Sequence, residues 1–347
     1  MSLARLLEGP LGFALAPLGW CFSGLSRLRR LAYRRGWRRS FRPPMPTLSI
    51  GNLSAGGTGK TPLIFDTLGW FAEHQLTPGV LSRGYGGDEG RMLEERHPEA
   101  LLAEDPDRVR ALQQFLVSGP PEVLVLDDGF QHLRLRRDLD VVLLDATRPF
   151  GRCFPAGLFR EPAAALKHAD LVVLSRADLV PEHTRDLIWL GVAACRRGRP
   201  ALPRIEGGVE ARELRRLADG QVAPVSSLRG VRAHLSAGVG NPESFRSLCE
   251  SLGVRVESVD WKPDHYAWTQ DDLEGWEAYE RVLVTEKDGV KLHDIAPASV
   301  WELRVDWRFL RGEQAWRERL EQFSLRARAA RFEPLWTACD PQDGGLS

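Results

Sequence analysis

Residues 51–63, GNLSAGGTGKTPL, combine four glycines with a Lys-Thr pair and lie between two segments of different type. The preceding residues 47–50, TLSI, form a short apolar run typical of a β-strand. Apolar residues then recur at helical spacing from Pro62 to Ala72. Successive backbone N–H groups at such a strand–loop–helix junction can surround phosphate oxygens. The stretch therefore predicts a phosphate-binding loop.

The residues of this loop have separate expected tasks. Lys60 is expected to reach the β- and γ-phosphates of a nucleotide, and the Thr61 hydroxyl to hold Mg²⁺. The strict motif has a glycine five residues before Gly59, where this chain has Ser54. An ordinary glycine-rich turn is the alternative, but the Gly-Lys-Thr order in this context favours the phosphate site. The predicted nucleotide-binding residues are Gly56, Gly57, Thr58, Gly59, Lys60 and Thr61.

Composition limits the remaining possibilities. The 347 residues suffice for two domains, and the 47 basic residues balance the 47 acidic ones. This balance gives no overall attraction to nucleic acid, and we expect no nucleic-acid partner. The five cysteines are scattered, with no Cys-x-x-Cys pair. The pattern argues against a zinc site or a disulfide framework and fits a reducing cytoplasm.

The N-terminal segment has an unusual order of apolar and basic residues. Residues 9–26 carry no charge, and eight arginines follow between positions 27 and 42. A signal peptide has its basic residues before the apolar run. An interfacial helix with an arginine collar on anionic headgroups is one interpretation, and a helix packed on the protein's own core is the other. The apolar stripe predicted for this helix consists of Leu11, Leu15, Leu18, Phe22 and Leu25.

Several later segments predict a parallel β-sheet. The continuous apolar runs at residues 122–132, 139–147 and 169–180 are typical of strands buried on both faces. We therefore expect an α/β fold of the P-loop NTPase type, whose mostly parallel sheet is covered by helices. Residues 1–45 would form the N-terminal apolar and basic helical segment, 46–180 the nucleotide-binding core, 181–330 a smaller α/β domain closing the cleft, and 331–347 a tail.

Asp127 and Asp128 follow the apolar strand VLVL directly. A phosphate-loop enzyme needs an acidic group at a neighbouring strand end to hold Mg²⁺ or its water. A structural Asp-Asp-Gly turn is the alternative. The upstream phosphate loop favours a metal site formed by Thr61 and this aspartate pair.

Eight motifs occur in an order that resembles one known family. They are GNLSAGGTGKTP, SRGYGG, GDEG, DDGFQH, FPAGLFREP, GVGNPESF, PDHY and TEKDGVKL. This order is similar to that of the tetraacyldisaccharide 4'-kinases of lipid A biosynthesis. The resemblance implies transfer of the ATP γ-phosphate to the 4'-hydroxyl of a lipid-linked glucosamine disaccharide. It also implies the lipid A disaccharide precursor as partner, and a monomer attached peripherally to the cytoplasmic face of the inner membrane.

The same resemblance assigns roles to particular residues. Asp88 matches the catalytic base and His265 its histidine partner, and Lys60 completes the catalytic set. Glu161 matches a glutamate that serves the metal site beside Asp127 and Asp128. Arg108 matches a basic residue near the phosphates of ATP.

The sequence departs from the family pattern around Asp88. Gly90 stands where the family usually has proline, and Gly86-Gly87 runs directly into Asp88 without the longer stretch found in many members. Both departures lie in the loop that would place the base.

Other functional classes remain open at this point. Ser175–Asp178 faintly resembles a guanine-reading motif, which would suit a regulatory GTPase or metallochaperone, but no Asp-x-x-Gly follows the Asp127 strand. A partitioning ATPase would carry lysine where this chain has Ala55. A non-catalytic membrane-surface scaffold would have no use for the aspartate pair.

Overall fold

The computed structural model describes residues 10–84 and 87–330. The described residues begin with a broken helical segment, because helix α1 ends before Leu15 and a second helix starts at Ala16. These helices are α1 (Pro10–Ala14) and α2 (Ala16–Arg34). The predicted tail, residues 331–347, lies outside the described residues.

Strands and helices alternate through the first half. The elements are β1 (Thr47–Asn52), α3 (Lys60–Glu73), β2 (Pro78–Ser82), α4 (Asp88–Arg96), β3 (Leu101–Glu104), α5 (Arg108–Ser118), β4 (Val123–Asp127), β5 (Leu139–Asp145) and β6 (Leu171–Ser175). A short 3₁₀ helix, Ala163–His168, precedes β6.

The second half contains two strands much longer than the others. Its elements are α6 (Glu182–Cys195), β7 (Ile205–Arg216), β8 (Val222–Pro224), β9 (Arg232–Ala237), α7 (Pro242–Ser251), β10 (Arg255–Trp261), β11 (Arg281–Thr285), α8 (Glu286–Leu292), β12 (Val300–Arg311) and α9 (Glu313–Ala330).

Within the described residues, twelve strands form one sheet in the order β10-β9-β11-β12-β7-β6-β5-β1-β4-β2-β3, with β8 paired to β7. Strands β1 to β6 are parallel, and so are β9 to β12 among their own neighbours. The two parallel blocks meet where β7 runs antiparallel to β12. The predicted fold class is therefore confirmed, and the domain limits at residues 45, 180 and 330 stay a prediction.

Strand β1 positions the functional loop. It lies between β4 and β5, parallel to both, and all six of its residues are buried. Such continuous burial is typical of a strand in a parallel sheet that is covered on both faces. Strands β2, β3 and β4 lie on one side of β1 in the sheet, and β5 and β6 lie on the other. Ligands bind at the carboxyl ends of the strands where the strand order reverses in this way.

Helices cover both faces of the sheet. On one face, α3 and α9 pack against the sheet through Phe71, Phe323 and the fully buried Trp316. On the other, Trp189 of α6 joins Phe130 and the outward residues of β5 and β6. Helix α9 belongs to the end of the chain, yet Arg317 forms a bidentate ion pair with Asp66 of α3. Helix α9 thus stabilises the first half of the molecule.

The N-terminal helix α2 lies on the body of the protein with one face only. Gly19 is buried against Ala156, and Phe22 contacts Phe154 edge to face at a centroid distance of 5.9 Å. Leu18 and Leu25 point away and are mostly exposed. The predicted apolar stripe is therefore divided between the protein and the solvent side. Among helices in the described parts of the chain, none is both long and apolar enough to cross a bilayer.

Candidate active site

The phosphate loop joins the end of β1 to the start of α3. Gly59 caps α3 with a left-handed backbone, φ +75°, which favours glycine. Thr58 is buried, and its hydroxyl accepts a hydrogen bond of 2.8 Å from the Asn52 amide. The Ser175 hydroxyl donates to the Thr58 carbonyl, also at 2.8 Å. The loop is therefore held from β1 and from β6, with its N–H groups at a helix N-terminus.

Arg176 supports the same loop from the end of β6. Its Nη2 donates to the Gly57 carbonyl at 2.8 Å, and its Nη1 pairs with Asp145. Arg176 belongs to the segment that faintly resembles a guanine-reading motif. Here its guanidinium contacts the backbone of the phosphate loop.

Asp127 and Asp128 have different surroundings at the end of β4. Asp128 lies 3.7 Å from the Lys60 Nζ and also pairs with Arg160. Burial favours the neutral acid, but Lys60 and Arg160 outweigh it and hold the pKa of Asp128 below its ordinary value. Burial, together with the charge of Glu89, raises the pKa of Asp127 to about 7. The pair therefore combines one firmly ionised carboxylate with one that carries its proton more readily.

The aspartate pair fits a hard divalent cation. The Oδ1 atoms of both residues are buried without a hydrogen-bond partner in the described chain. A cation at this point would satisfy both oxygens and favour ionised Asp127. Within residues 10–84 and 87–330, no three His, Cys, Asp or Glu side chains form a metal-binding group. Mg²⁺ suits such a sparse site, because it binds through one or two carboxylates and completes its shell with phosphates and water.

Glu161 and Arg108 have well-defined protein partners. Arg30 of α2 holds buried Glu161 in a bidentate ion pair, with a shortest distance of 2.7 Å. Arg108 is also buried, and it donates to the Asp105 carbonyl at 2.8 Å and to the Asp127 carbonyl at 3.1 Å. Arg108 thus braces the strand end that carries the aspartates. The predicted metal role of Glu161 and the predicted phosphate contact of Arg108 stay predictions.

Asp88 and His265 lie together although they are far apart in sequence. Asp88 is the first residue of α4 and is almost fully buried. Its Oδ2 lies 3.3 Å from the His265 Nδ1 and 2.9 Å from the Lys291 Nζ. The Lys287 Nζ lies 3.8 Å from the same oxygen. Burial alone would raise the pKa of Asp88, but Lys291, Lys287 and His265 together lower it.

The two lysines and Arg160 were not assigned functions from the sequence. Lys287 and Lys291 belong to the TEKDGVKL motif, and their spacing places both on one face of α8. Arg160 directly precedes Glu161 in FREP. Each residue lies inside a motif quoted for the family resemblance. Their contacts depend on long-range packing, which the spacing along the chain does not reveal.

The phosphate loop and the Asp88 helix border one cleft with the second half of the chain. The cleft has a volume of about 240 Å³ and is lined by Lys60, Thr61 and Glu89 on one side and by Asn241 and Lys287 on the other. Gly240 approaches the loop so closely that an added Cβ would lie 3.0 Å from the Gly57 nitrogen. The loop after β9 therefore contacts the phosphate loop directly.

Backbone strain accompanies this site. Of the four non-glycine residues with positive φ in the described chain, three are Asp128, Arg176 and His265, at +54°, +52° and +61°. Such conformations cost of order 1–3 kcal/mol each and persist where surrounding structure enforces them. Asp128 lies beside Lys60, Arg176 contacts the phosphate loop and His265 lies beside Asp88. The fold therefore holds these three side chains in set directions.

The sheet, the loop at the end of β1 and the adjacent aspartates define a P-loop nucleotide-binding protein. Comparison with known sequences identifies the family within this class. The sequence model of the Tetraacyldisaccharide-1-P 4'-kinase family, LpxK, matches residues 11–89 and 86–324. The chain belongs to the tetraacyldisaccharide 4'-kinase family. The two matches overlap at residues 86–89, where the SRGYGG motif runs directly into Asp88.

Individual relatives agree with the family model. The tetraacyldisaccharide 4'-kinase of Alkalilimnicola ehrlichii is 37% identical over 338 residues, covering 89% of this chain and 91% of the relative. That of Pseudomonas aeruginosa strain PAO1 is 36% identical over 330 residues, covering 88% and 92%. The crystal structure of LpxK from Aquifex aeolicus in complex with ATP superimposes with a TM-score of 0.72 at 26% identity, covering 90% of this chain and 99% of that chain.

Proposed function

We propose that this chain transfers the γ-phosphate of ATP to the 4'-hydroxyl of a tetraacylated glucosamine disaccharide 1-phosphate. The observation that carries the proposal is the shared cleft. It is lined by the phosphate loop, whose Lys60 lies 3.7 Å from Asp128. It is also lined by Glu89, the residue after Asp88, and by Lys287, which lies 3.8 Å from the buried Asp88 carboxylate. Family membership supports the acceptor, and the ATP bound to the Aquifex aeolicus structure supports the donor.

The nucleotide is assigned to the N-terminus of α3. Backbone N–H groups of Gly56, Gly57, Thr58 and Gly59 donate hydrogen bonds to its phosphates, and Lys60 offsets their charge. Mg²⁺ held by Thr61, Asp127 and Asp128, with Glu161 as a further acidic group, would neutralise charge on the transferring phosphoryl group. Arg160 keeps Asp128 ionised and directed at this position. Arg108 fixes the strand end behind it.

Asp88 is assigned as the base for the acceptor hydroxyl. Its lowered pKa keeps the carboxylate ionised at neutral pH, ready to accept the proton as the oxygen bonds to phosphorus. ADP leaves with the electron pair of the broken P–O bond. His265, at 3.3 Å, orients this carboxylate and offers a route for the proton to solvent, since its ring is partly exposed.

Attachment to the inner membrane is assigned to α1, α2 and the arginines that follow. Phe13, Leu18, Trp20 and Leu25 expose between 56% and 75% of their surfaces, next to the basic residues. An apolar face beside a cationic collar suits anionic headgroups at a bilayer surface. The proposed enzyme is a monomer attached peripherally to the cytoplasmic face, and it has no nucleic-acid partner.

The decisive experiment measures phosphate transfer to a synthetic tetraacyl glucosamine disaccharide 1-phosphate in detergent micelles. ATP with Mg²⁺ is expected to support transfer, while GTP supports little. Asp88→Asn is expected to bind ATP normally but to lose transfer, because the base acts on the acceptor. GTP-selective hydrolysis that is independent of the acceptor would contradict the proposal and favour a regulatory GTPase.

A further inference from the structure

A second pocket lies between α2 and the 3₁₀ helix Ala163–His168, and none of its lining residues lines the nucleotide cleft. Its volume is about 220 Å³. We call it the α2 pocket. The residues lining it are Arg27, Arg30, Leu31, Arg34, Glu161, Pro162, Ala164, Ala165, Lys167 and His168.

The α2 pocket has an excess of positive charge. In its described lining, Glu161 is the one carboxylate, and the bidentate pair with Arg30 already engages both of its oxygens. Arg27, Arg34 and Lys167 form no ion pair with a carboxylate of residues 10–84 and 87–330. Three cations with no carboxylate partner among the described residues therefore line one pocket, together with the Arg30–Glu161 pair.

The pKa of His168, which lines the pocket, is lowered by burial and by nearby positive charges. Burial first, and then the charges of Arg30, Arg34, Lys167 and Arg199, lower the pKa of His168 to about 4. His168 is therefore neutral at physiological pH. It can donate or accept a hydrogen bond without adding a fourth charge.

The surroundings of the α2 pocket are apolar on the exposed side of the helix. Leu25 and Leu28, which flank Arg27, are 65% and 54% exposed. A neighbouring groove shares Arg27 and Pro162 with the pocket and is lined by Phe13 and Trp20. Cations beside exposed apolar residues match the boundary between the headgroups and the acyl chains of a bilayer.

We propose that the α2 pocket binds the phosphate of an anionic membrane phospholipid, whose acyl chains lie along the Phe13–Trp20 groove. Arg27, at the junction of pocket and groove, contacts the phosphate, and Arg34 and Lys167 complete its coordination. This inference rests on the membrane attachment proposed above. The proposed membrane attachment through exposed arginines is electrostatic and not saturable at one site. The α2 pocket would add a saturable site for one headgroup, because a pocket between two elements recognises geometry as well as charge.

The test compares two variants with the same change in charge. The pocket variant is Arg27→Gln/Arg34→Gln/Lys167→Gln. The control is Arg29→Gln/Arg38→Gln/Arg39→Gln, which removes three exposed arginines that do not line the pocket. The probe is dihexanoyl phosphatidylglycerol below its micelle concentration, titrated into the full-length protein by calorimetry. Both variants alter exposed surface positions, and thermal unfolding would verify that they fold.

We expect saturable one-to-one binding to the wild type and to the control. The pocket variant should bind at least tenfold more weakly, since charge-assisted contacts to the phosphate are lost. Equal affinities of the two variants, or no saturable binding to the wild type, would overturn the proposal. Dihexanoyl phosphatidylcholine, which has no net charge, is expected to bind weakly to all three proteins.

A second measurement separates this site from the kinase reaction. In phospholipid-free detergent, the pocket variant should phosphorylate the tetraacyl acceptor with wild-type kcat and KM. A raised KM for the acceptor would overturn the proposal by showing that the pocket holds the phosphate of the substrate. Absence of transfer by the wild type would contradict the proposed function. The lipid titration would still test whether the α2 pocket binds an anionic phospholipid.

Discussion

Two adjacent aspartates show how position alone separates the chemistry of identical side chains. Asp127 ends a buried strand, and burial together with Glu89 raises its pKa to about 7. Asp128 adopts a positive φ and turns toward Lys60 and Arg160, which hold its pKa low. Neighbouring side chains on a strand point in different directions, so the two carboxyl groups meet different surroundings. The partners that create the difference come from other elements.

Lys60 is expected to be essential for transfer. Lys60→Ala removes the ammonium beside Asp128 and beside the proposed phosphate site, so phosphoryl transfer should fall by roughly 10²–10³-fold. The measurement is kcat at saturating ATP and acceptor. Lys262→Ala is the control, because Lys262 pairs with Asp260 and Asp272 and does not line the cleft. Near-normal turnover of Lys60→Ala would show that the loop does not hold the transferring phosphate.

Asp88 and His265 are expected to act as one unit. Asp88→Asn should lower kcat by roughly 10²–10⁴-fold with ATP affinity nearly unchanged, and His265→Ala should cost less. Since the pair is in contact, the double variant should lose little more than Asp88→Asn alone. The double-mutant cycle on the lipid acceptor measures this coupling. Strictly additive losses would mean that the residues act independently.

Lys291 is expected to set the acid limit of the reaction. Its ammonium lies 2.9 Å from Asp88 and lowers the pKa of that carboxyl. Lys291→Met removes this effect, so the pKa of Asp88 rises and the base is lost at a higher pH. The acid limb of the profile of kcat/KM against pH should therefore move upward. Lys262→Met is the matched control, and an unmoved limb would exclude Asp88 as the titrating base.

The sequence predicted individual strands better than their long-range pairing. The runs before Asp127 and Asp145 were recognisable because strands buried on both faces are continuously apolar. In β7 and β12, half-buried and exposed residues alternate over parts of their length, and no local signal specifies that they pair with each other. Long-range packing also limited what the sequence could predict about the candidate active site. Asp88 and His265 were matched through motifs, whereas the contacts of Lys287 and Lys291 with Asp88 arise from the packing of α8 on α4.

Helix α9 is expected to stabilise the nucleotide-binding half. Trp316 is fully buried among residues of α3 and the sheet. Trp316→Ala should lower the free energy of unfolding by about 3–5 kcal/mol, the usual range for removal of a large aromatic side chain from a core. Urea denaturation would measure the change. Trp20→Ala is the control, since Trp20 is 75% exposed and its loss should have little effect.

At the scale of the molecule, the sheet and a partly buried ion network join the halves that border the cleft. Arg96 of α4 donates to Glu286 of α8 at 3.1 and 3.3 Å and also pairs with Asp306. Arg304 extends the network to Glu302 and Glu95. Helices α4 and α8 carry Asp88 and its lysines, so this network fixes the distance between the proposed base and the cations that hold it ionised. A movement of the Glu286 side chain would be transmitted to Asp88, because helices α4 and α8 are in direct contact.

The ionisation of Glu286 gives the corresponding prediction. Burial raises its pKa to about 7, more than Arg96 and Arg304 lower it, and Glu302 adds to the rise. Its pKa in the unfolded chain is near the ordinary 4.5, so the folded state binds the proton more tightly. The contribution of Glu286 to the free energy of unfolding therefore falls as pH rises from about 4.5 to about 7, by up to about 3 kcal/mol.

Glu286→Gln keeps the shape of the protonated acid and cannot ionise. Relative to the wild type, the variant should therefore gain stability as pH rises from 5 to 8, as measured by urea denaturation at each pH. Glu257→Gln, at a more exposed carboxyl paired with Arg232, is the control and should show no such gain. If the ion pair with Arg96 governs the energetics instead, the difference will have the opposite sign, and the variant will lose most stability at high pH. In that case Glu286 enters the network as a carboxylate, and the halves are held together by charge attraction and not by a shared proton.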